Sequence, residues 1–133
     1  MIVVDTNIIG YLYLTSERSR QVEQAFLKDT QWAAPLLWRS ELRNVLGLYI
    51  RRRMLQPEQA QQIMEEATGL MLGREYKVVS SHVLRLVATS ICSASDCEFV
   101  ALAQDLDVPL VTVDQQILSQ FPDRAVALER FVS

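Results

Sequence analysis

Histidine is almost missing from this chain, and so are the residues that punctuate or staple small folds. Its 133 residues include one His, two Cys, four Gly and four Pro. The lone His82 and the pair Cys92 and Cys97, not spaced as C-x-x-C, cannot assemble a zinc site. Nothing places His82 beside a Ser or Cys as the base of a nucleophilic hydrolase, so its reading is structural. Both cysteines read as reduced, structural thiols of a cytoplasmic protein. No apolar run approaches the ~18 residues of a membrane span. The start of the chain has no basic region ahead of an apolar one, and Asp5 interrupts it early, so no signal peptide is read there. Scarce Gly and Pro mean long elements and short connections. Without repeats, low-complexity tracts or linkers, residues 1–133 read as a single domain. An excess of basic charge is also lacking: 13 Lys and Arg face 16 Asp and Glu, a net charge of −3. That excludes a protein that coats nucleic acid by bulk charge. Contact with nucleic acid would need a local patch, and a cation to mask the chain's own acids.

What is present is an alternation. Half of the residues are hydrophobic and 22% are charged, the profile of a globular domain. Strand-like runs are "IVV" before Asp5, "QWAA" before Pro35, "YKVV" before Ser80, "PLVTV" before Asp114 and a weaker "AVAL" near the end. Helical spacing fills the intervals. From Leu37 to Arg51 the stripe is Leu42, Val45, Leu46 and Tyr49. After Pro57, suited to a first turn, it is Ala60, Ile63, Met64, Ala67 and Met71. Ser80 and Ser81 can cap a helix whose apolar side is Leu84, Val87, Ala88 and Ile91. After Ser93 the stripe is Val100, Ala103 and Leu106. Strands alternating with helices predict an α/β fold of three layers, its mostly parallel sheet of four or five strands covered on both faces. In such sheets sites form beyond the carboxyl ends of the strands.

The acids sit where that rule looks. Asp5 ends the first strand and Asp114 ends the fourth, and each alone is a plausible helix N-cap. Asp96 follows Ser93 by three residues, a capping-box spacing. Glu41 is less easily explained, because it shares a helix face with apolar residues. A carboxylate turned towards a core is costly unless paired or bound to a cation. The conjunction decides more than any member does. Parallel strands place Asp5 and Asp114 at one edge of the sheet, and a helix returning to that edge brings Asp96 alongside. Two unit charges ~5 Å apart cost on the order of 3 kcal/mol at an effective dielectric of about 20. Caps alone give no reason to accept that cost, whereas a divalent cation does. Oxygen ligands without His or Cys favour Mg²⁺ or Mn²⁺.

"VVDTN", "SEL" before an apolar helix, "SASDCEFVALA" and "PLVTVD" follow one another along the chain. In that order they resemble the signature of PIN-domain ribonucleases, in particular the VapC toxins of toxin–antitoxin pairs. The resemblance spans nearly the whole chain. It implies a PIN-like fold with Asp5, Glu41, Asp96 and Asp114 at the family's acidic positions, as catalytic residues and Mg²⁺ or Mn²⁺ ligands. It places Asn7 and Thr112 at the polar positions that support the first and last acids. It further implies a metal-dependent endoribonuclease acting on RNA, dimeric, and held inactive by a cognate antitoxin.

Other readings are weaker. A haloacid-dehalogenase phosphatase needs a second acid two residues after the first, where this chain has Asn7. A receiver domain needs paired acids after the first strand, a mid-chain Asp and a late Lys, none of which is found. A non-catalytic PIN-fold module that binds RNA or protein fits the same patterns without chemistry. Trp32 and Trp38 read as core or interface residues, and Arg51 to Arg53 as a solvated helix end that could also steer phosphate. Leu36, Leu37, Trp38, Leu48, Ile50, Met64, Leu70, Met71 and Leu72 give the central helices more apolar surface than one core needs. That excess predicts a homodimer.

Overall fold

The computed structural model describes residues 1–133. Five strands are β1 (Ile2–Val4), β2 (Trp32–Pro35), β3 (Glu75–Tyr76), β4 (Leu110–Thr112) and β5 (Ala125–Ala127). They form one sheet in the order β3-β2-β1-β4-β5, and every neighbouring pair is parallel. Eight helices carry the connections: α1 (Thr6–Tyr13), α2 (Ser19–Lys28), α3 (Trp38–Arg51), α4 (Pro57–Met71), α5 (Ser80–Ala88), α6 (Ala94–Leu106), α7 (Gln115–Gln120) and α8 (Leu128–Val132). Successive strand residues point to opposite faces. Since Ile2, Val3 and Val4 are all buried, and Leu110, Val111 and Thr112 likewise, the sheet is covered on both sides. This is the three-layer α/β/α arrangement the alternation predicted.

The strand order positions the site. The chain leaves β1 towards β2 on one side and leaves β4 towards β5 on the other. The crevice between β1 and β4 is therefore the topological switch point, where open parallel sheets place ligands. Asp5 directly follows β1, and Asp114 lies two residues beyond β4. Helix α6 packs on β1, β2 and β4 and is buried at Cys97 and from Phe99 through Ala103, so it is enclosed more fully than the expected stripe of Val100, Ala103 and Leu106.

Four expectations need correction. The run "YKVV" yields only Glu75–Tyr76 as strand, because pairing with β2 ends at Pro35–Tyr76. Helix α5 turns a different face inward: Val83 is buried and Leu86 and Val87 pack on the core, while Leu84 and Ile91 are 62% and 70% exposed. Ser80 is the first residue of α5 and not its cap; the cap position is Val79, with no side-chain cap bond. Finally, Trp38 and Met71 are fully buried in the core, so these two do not belong to the surplus apolar surface. The Trp38 indole N–H donates to Glu75 Oε2 at 2.8 Å, which satisfies its polar atom on burial.

Candidate active site

A cavity of about 260 Å³ opens at the switch point, and all four expected acids line it: Asp5, Glu41, Asp96 and Asp114. They come from the ends of β1 and β4 and from α3 and α6. Asn7 also lines it, together with Thr6, Asn44 and an apolar wall of Val45, Leu48, Phe99 and Ile117.

The cap readings of Asp5 and Asp114 hold for one oxygen of each. Asp5 Oδ1 accepts the Ile8 N–H at 3.1 Å, and Asp114 Oδ1 accepts the Ile117 N–H at 3.0 Å. Asp5 Oδ2 accepts the hydroxyl of the buried Thr112, and Thr112 Oγ1 in turn accepts the Asp114 N–H at 3.0 Å. Thr112 thus ties the two strand ends together. Glu41 Oε1 accepts the Thr6 hydroxyl at 2.7 Å. Asp96 is held through its backbone, whose N–H donates to Ser93 Oγ at 3.1 Å; only that half of a capping box forms. Asn7 is exposed on the cavity wall, and Asp5 takes its side-chain donor from Thr112.

Electrostatics show what this arrangement lacks. Burial raises the Asp5 carboxyl to about 6, and the nearby charge of Asp114 adds to the rise, against the bonds from Thr112 and Ile8. Burial also raises Glu41, with Asp96 contributing, and raises Asp96, with Asp114 contributing. Glu98, which sequence reading passed over, is raised by burial and by the charge of Glu41. No Arg, Lys or His lines the cavity to offset these charges. The donors are all oxygen and fit a hard divalent cation in kind. They do not enclose one as placed, since no three acidic, His or Cys side chains form a metal-holding cluster. Carboxylates coupled in this way repel one another, and a cation held among them would relieve that repulsion.

Residues expected to be ordinary behave so. His82 Nδ1 lies 3.1 Å from Asp105 Oδ1 and Nε2 lies 2.6 Å from Gln104 Oε1, away from the cavity. Cys92 and Cys97 are buried and unpaired, and burial pushes both thiols up, which suits packing and not nucleophilic chemistry. Arg51, Arg52 and Arg53 are exposed at the end of α3. Sequence reading missed Asn44, although its place three residues after Glu41 puts it on the same helix face.

The sequence matches the PIN domain family over residues 2–123. Ribonuclease VapC3 of Pyrobaculum aerophilum is 29% identical over 124 residues, covering 91% of this chain and 95% of that protein. A crystal structure from the same organism superposes with a TM-score of 0.73 at 16% identity, covering 98% of this chain and 92% of its own. A toxin–antitoxin complex from Klebsiella pneumoniae gives 0.72 at 18% identity, covering 96% and 98% of the two chains. FitAcB of Neisseria gonorrhoeae gives 0.70 at 18%, with 96% of each chain covered. Strand order, the acids at the switch point and a family match running through nearly all of them lead to one assignment: the chain belongs to the PIN domain family.

Proposed function

We propose that this protein is a Mg²⁺- or Mn²⁺-dependent endoribonuclease, the toxin of a toxin–antitoxin pair. One observation carries the reading: four carboxylates from four separate elements line one cavity at the switch point, with no basic side chain among them. The relative named as a ribonuclease supports the substrate class, and the toxin–antitoxin complex supports the partner.

Asp5, Asp96 and Asp114 would hold the ion, with Glu41 binding it directly or through water. A bound divalent ion supplies Lewis-acid chemistry: it activates water and neutralises charge developing on the phosphoryl oxygens. The chain's own part is to orient. Thr112 fixes the Asp5 carboxylate, Thr6 fixes Glu41, and the turn of α6 begun by Ser93 presents Asp96. Val45, Leu48, Phe99 and Ile117 form the apolar wall beside the acids. With both thiols buried and His82 elsewhere, water is the nucleophile and no covalent enzyme intermediate forms.

The same reading takes residues 1–133 as one PIN domain acting in the cytoplasm, as a homodimer blocked by an antitoxin. An antitoxin basic side chain placed in the cavity would pair with the acids and compete with the ion. No helix is long and apolar enough to cross a membrane. For the dimer, Leu36 and Leu72 are 43% and 71% exposed and remain available. The test is incubation of purified, partner-free protein with folded cellular RNAs, with Mg²⁺ or Mn²⁺ and with a chelator. Cleavage only with metal supports the reading. Cleavage unaffected by chelator removes the metal, and RNA left intact under all conditions favours a non-catalytic module.

A further inference from the structure

Helix α3 has two faces with different tasks. Trp38, Leu42 and Leu46 recur every four residues and are buried in the core. Glu41, Asn44, Val45 and Leu48 recur at i, i+3, i+4 and i+7 and line the acidic cavity. Along this second face the character changes from a carboxylate through an amide to an exposed leucine, 47% open to solvent. Asn44 is exposed and engaged in no hydrogen bond through its side chain within the protein, so the fold does not require it.

The cavity poses a problem for a polyanion. Four acids line it and no Arg or Lys does. Thr6 already gives its hydroxyl to Glu41. The side-chain N–H donors left on the wall are the amides of Asn7 and Asn44. An amide donates to phosphate oxygen without pairing with, and so quenching, the neighbouring carboxylates. Asn44 is carried by α3 and not by a strand end, whereas Asn7 is two residues from Asp5.

On the reading of the cavity as a nuclease site, we infer that Asn44 is a substrate-binding residue, its side-chain amide donating to a non-bridging phosphate oxygen of the RNA. Leu48, one turn further out, then meets the adjoining sugar and base. Hydrogen bonds to charged groups are worth enough that losing one lowers binding about 10- to 100-fold.

The test compares wild type, Asn44→Ala and Asn44→Asp as full-length protein with Mn²⁺. Cleavage kinetics are read on an RNA the wild type cuts, and fluorescence anisotropy on a single-stranded RNA oligonucleotide of mixed sequence. Asn44→Ala should raise KM about 10- to 100-fold with kcat nearly held, and weaken oligonucleotide binding in parallel. Asn44→Asp should be worse than Ala, because it adds a negative charge where a donor is needed. Asn44→Ala should keep the wild-type melting temperature and its shift with Mn²⁺, which separates binding from a structural or metal-holding role. Unchanged KM and affinity in Asn44→Ala overturn the inference. Asn44→Asp as good as wild type also overturns it, since an acid can accept from a ribose hydroxyl but cannot donate to phosphate. If the wild type binds RNA without cutting it, the nuclease reading falls while anisotropy still decides Asn44. If it neither binds nor cuts, both fall.

Discussion

Thr112 on β4 donates its hydroxyl to Asp5 at the end of β1, two residues that lie 107 positions apart in the chain. The same hydroxyl oxygen accepts the amide of Asp114. One side chain therefore sets both the orientation of the most buried acid and the turn that carries the last one. Thr112→Val keeps the shape and removes the donor. The loss weighs most on ionised Asp5, so the variant should lose roughly 1–3 kcal/mol at pH 7.5 and less at pH 4.5. Denaturant unfolding at the two pH values measures this difference.

Without metal, Asp5 should make the protein less stable as pH rises. Its carboxyl goes from an ordinary 3.8 to about 6 in the fold, chiefly through burial. A raised folded value means the fold prefers the protonated acid. Its favourable contribution is full below 3.8 and disappears as pH climbs through about 6. The size is about 3 kcal/mol between these limits. In chelator, the stability of Asp5→Asn relative to wild type should improve by that order from pH 4 to pH 7.5. A constant difference across this range means that Asp5 is not under the strain its burial implies.

Glu75 has the opposite sign. Arg39 donates to it through Nε at 2.5 Å and Nη2 at 2.6 Å, and Trp38 through Nε1 at 2.8 Å. The Arg39 bonds, foremost, lower its carboxyl below the usual 4.5. Its contribution is present above 4.5 and lost as pH falls through the lowered folded value. Glu75→Gln should cost about 1–2 kcal/mol at pH 7, moderated by solvent on the Arg39 side, and the gap from wild type should close in acid. Thermal melts at pH 7 and pH 3 check both statements.

Arg53 closes α3 in the left-handed region, with φ of 59°. Its N–H bonds to Ile50 O and the Met54 N–H to Tyr49 O, the paired bonds of a helix end usually made with glycine. Arg53→Gly should stabilise by up to about 1 kcal/mol. A melting temperature that falls would show that the Arg53 side chain contributes more than its backbone costs.

The four acids could be found from sequence because each ends a strand or begins or shares a helix, and residue type at those places is a local signal. Strand alternation located the sheet for the same reason. What sequence could not reveal depends on distant neighbours. In α5, Leu84 and Val83 fit a helical stripe equally well, and only packing against α6 selects Val83. Trp38 looked like spare apolar surface because its partner, Glu75, is 37 residues away. Asn44 is polar and exposed, and gains meaning only when α3 is seen beside the cavity.

The metal-centred mechanism rests most directly on Asp5 and Asp96. The decisive measurement is RNA cleavage, with melting temperature in chelator and in Mn²⁺, for wild type, Asp5→Asn and Asp96→Asn. A catalytic ion requires that Mn²⁺ raise the wild-type melting temperature, by mass action on the folded state. It further requires that both variants stay folded, lose that rise, and fail to cleave. Variants that cleave like wild type contradict the mechanism. So does a wild type that Mn²⁺ leaves unstabilised while both variants unfold, in which case the acids serve the fold as helix caps.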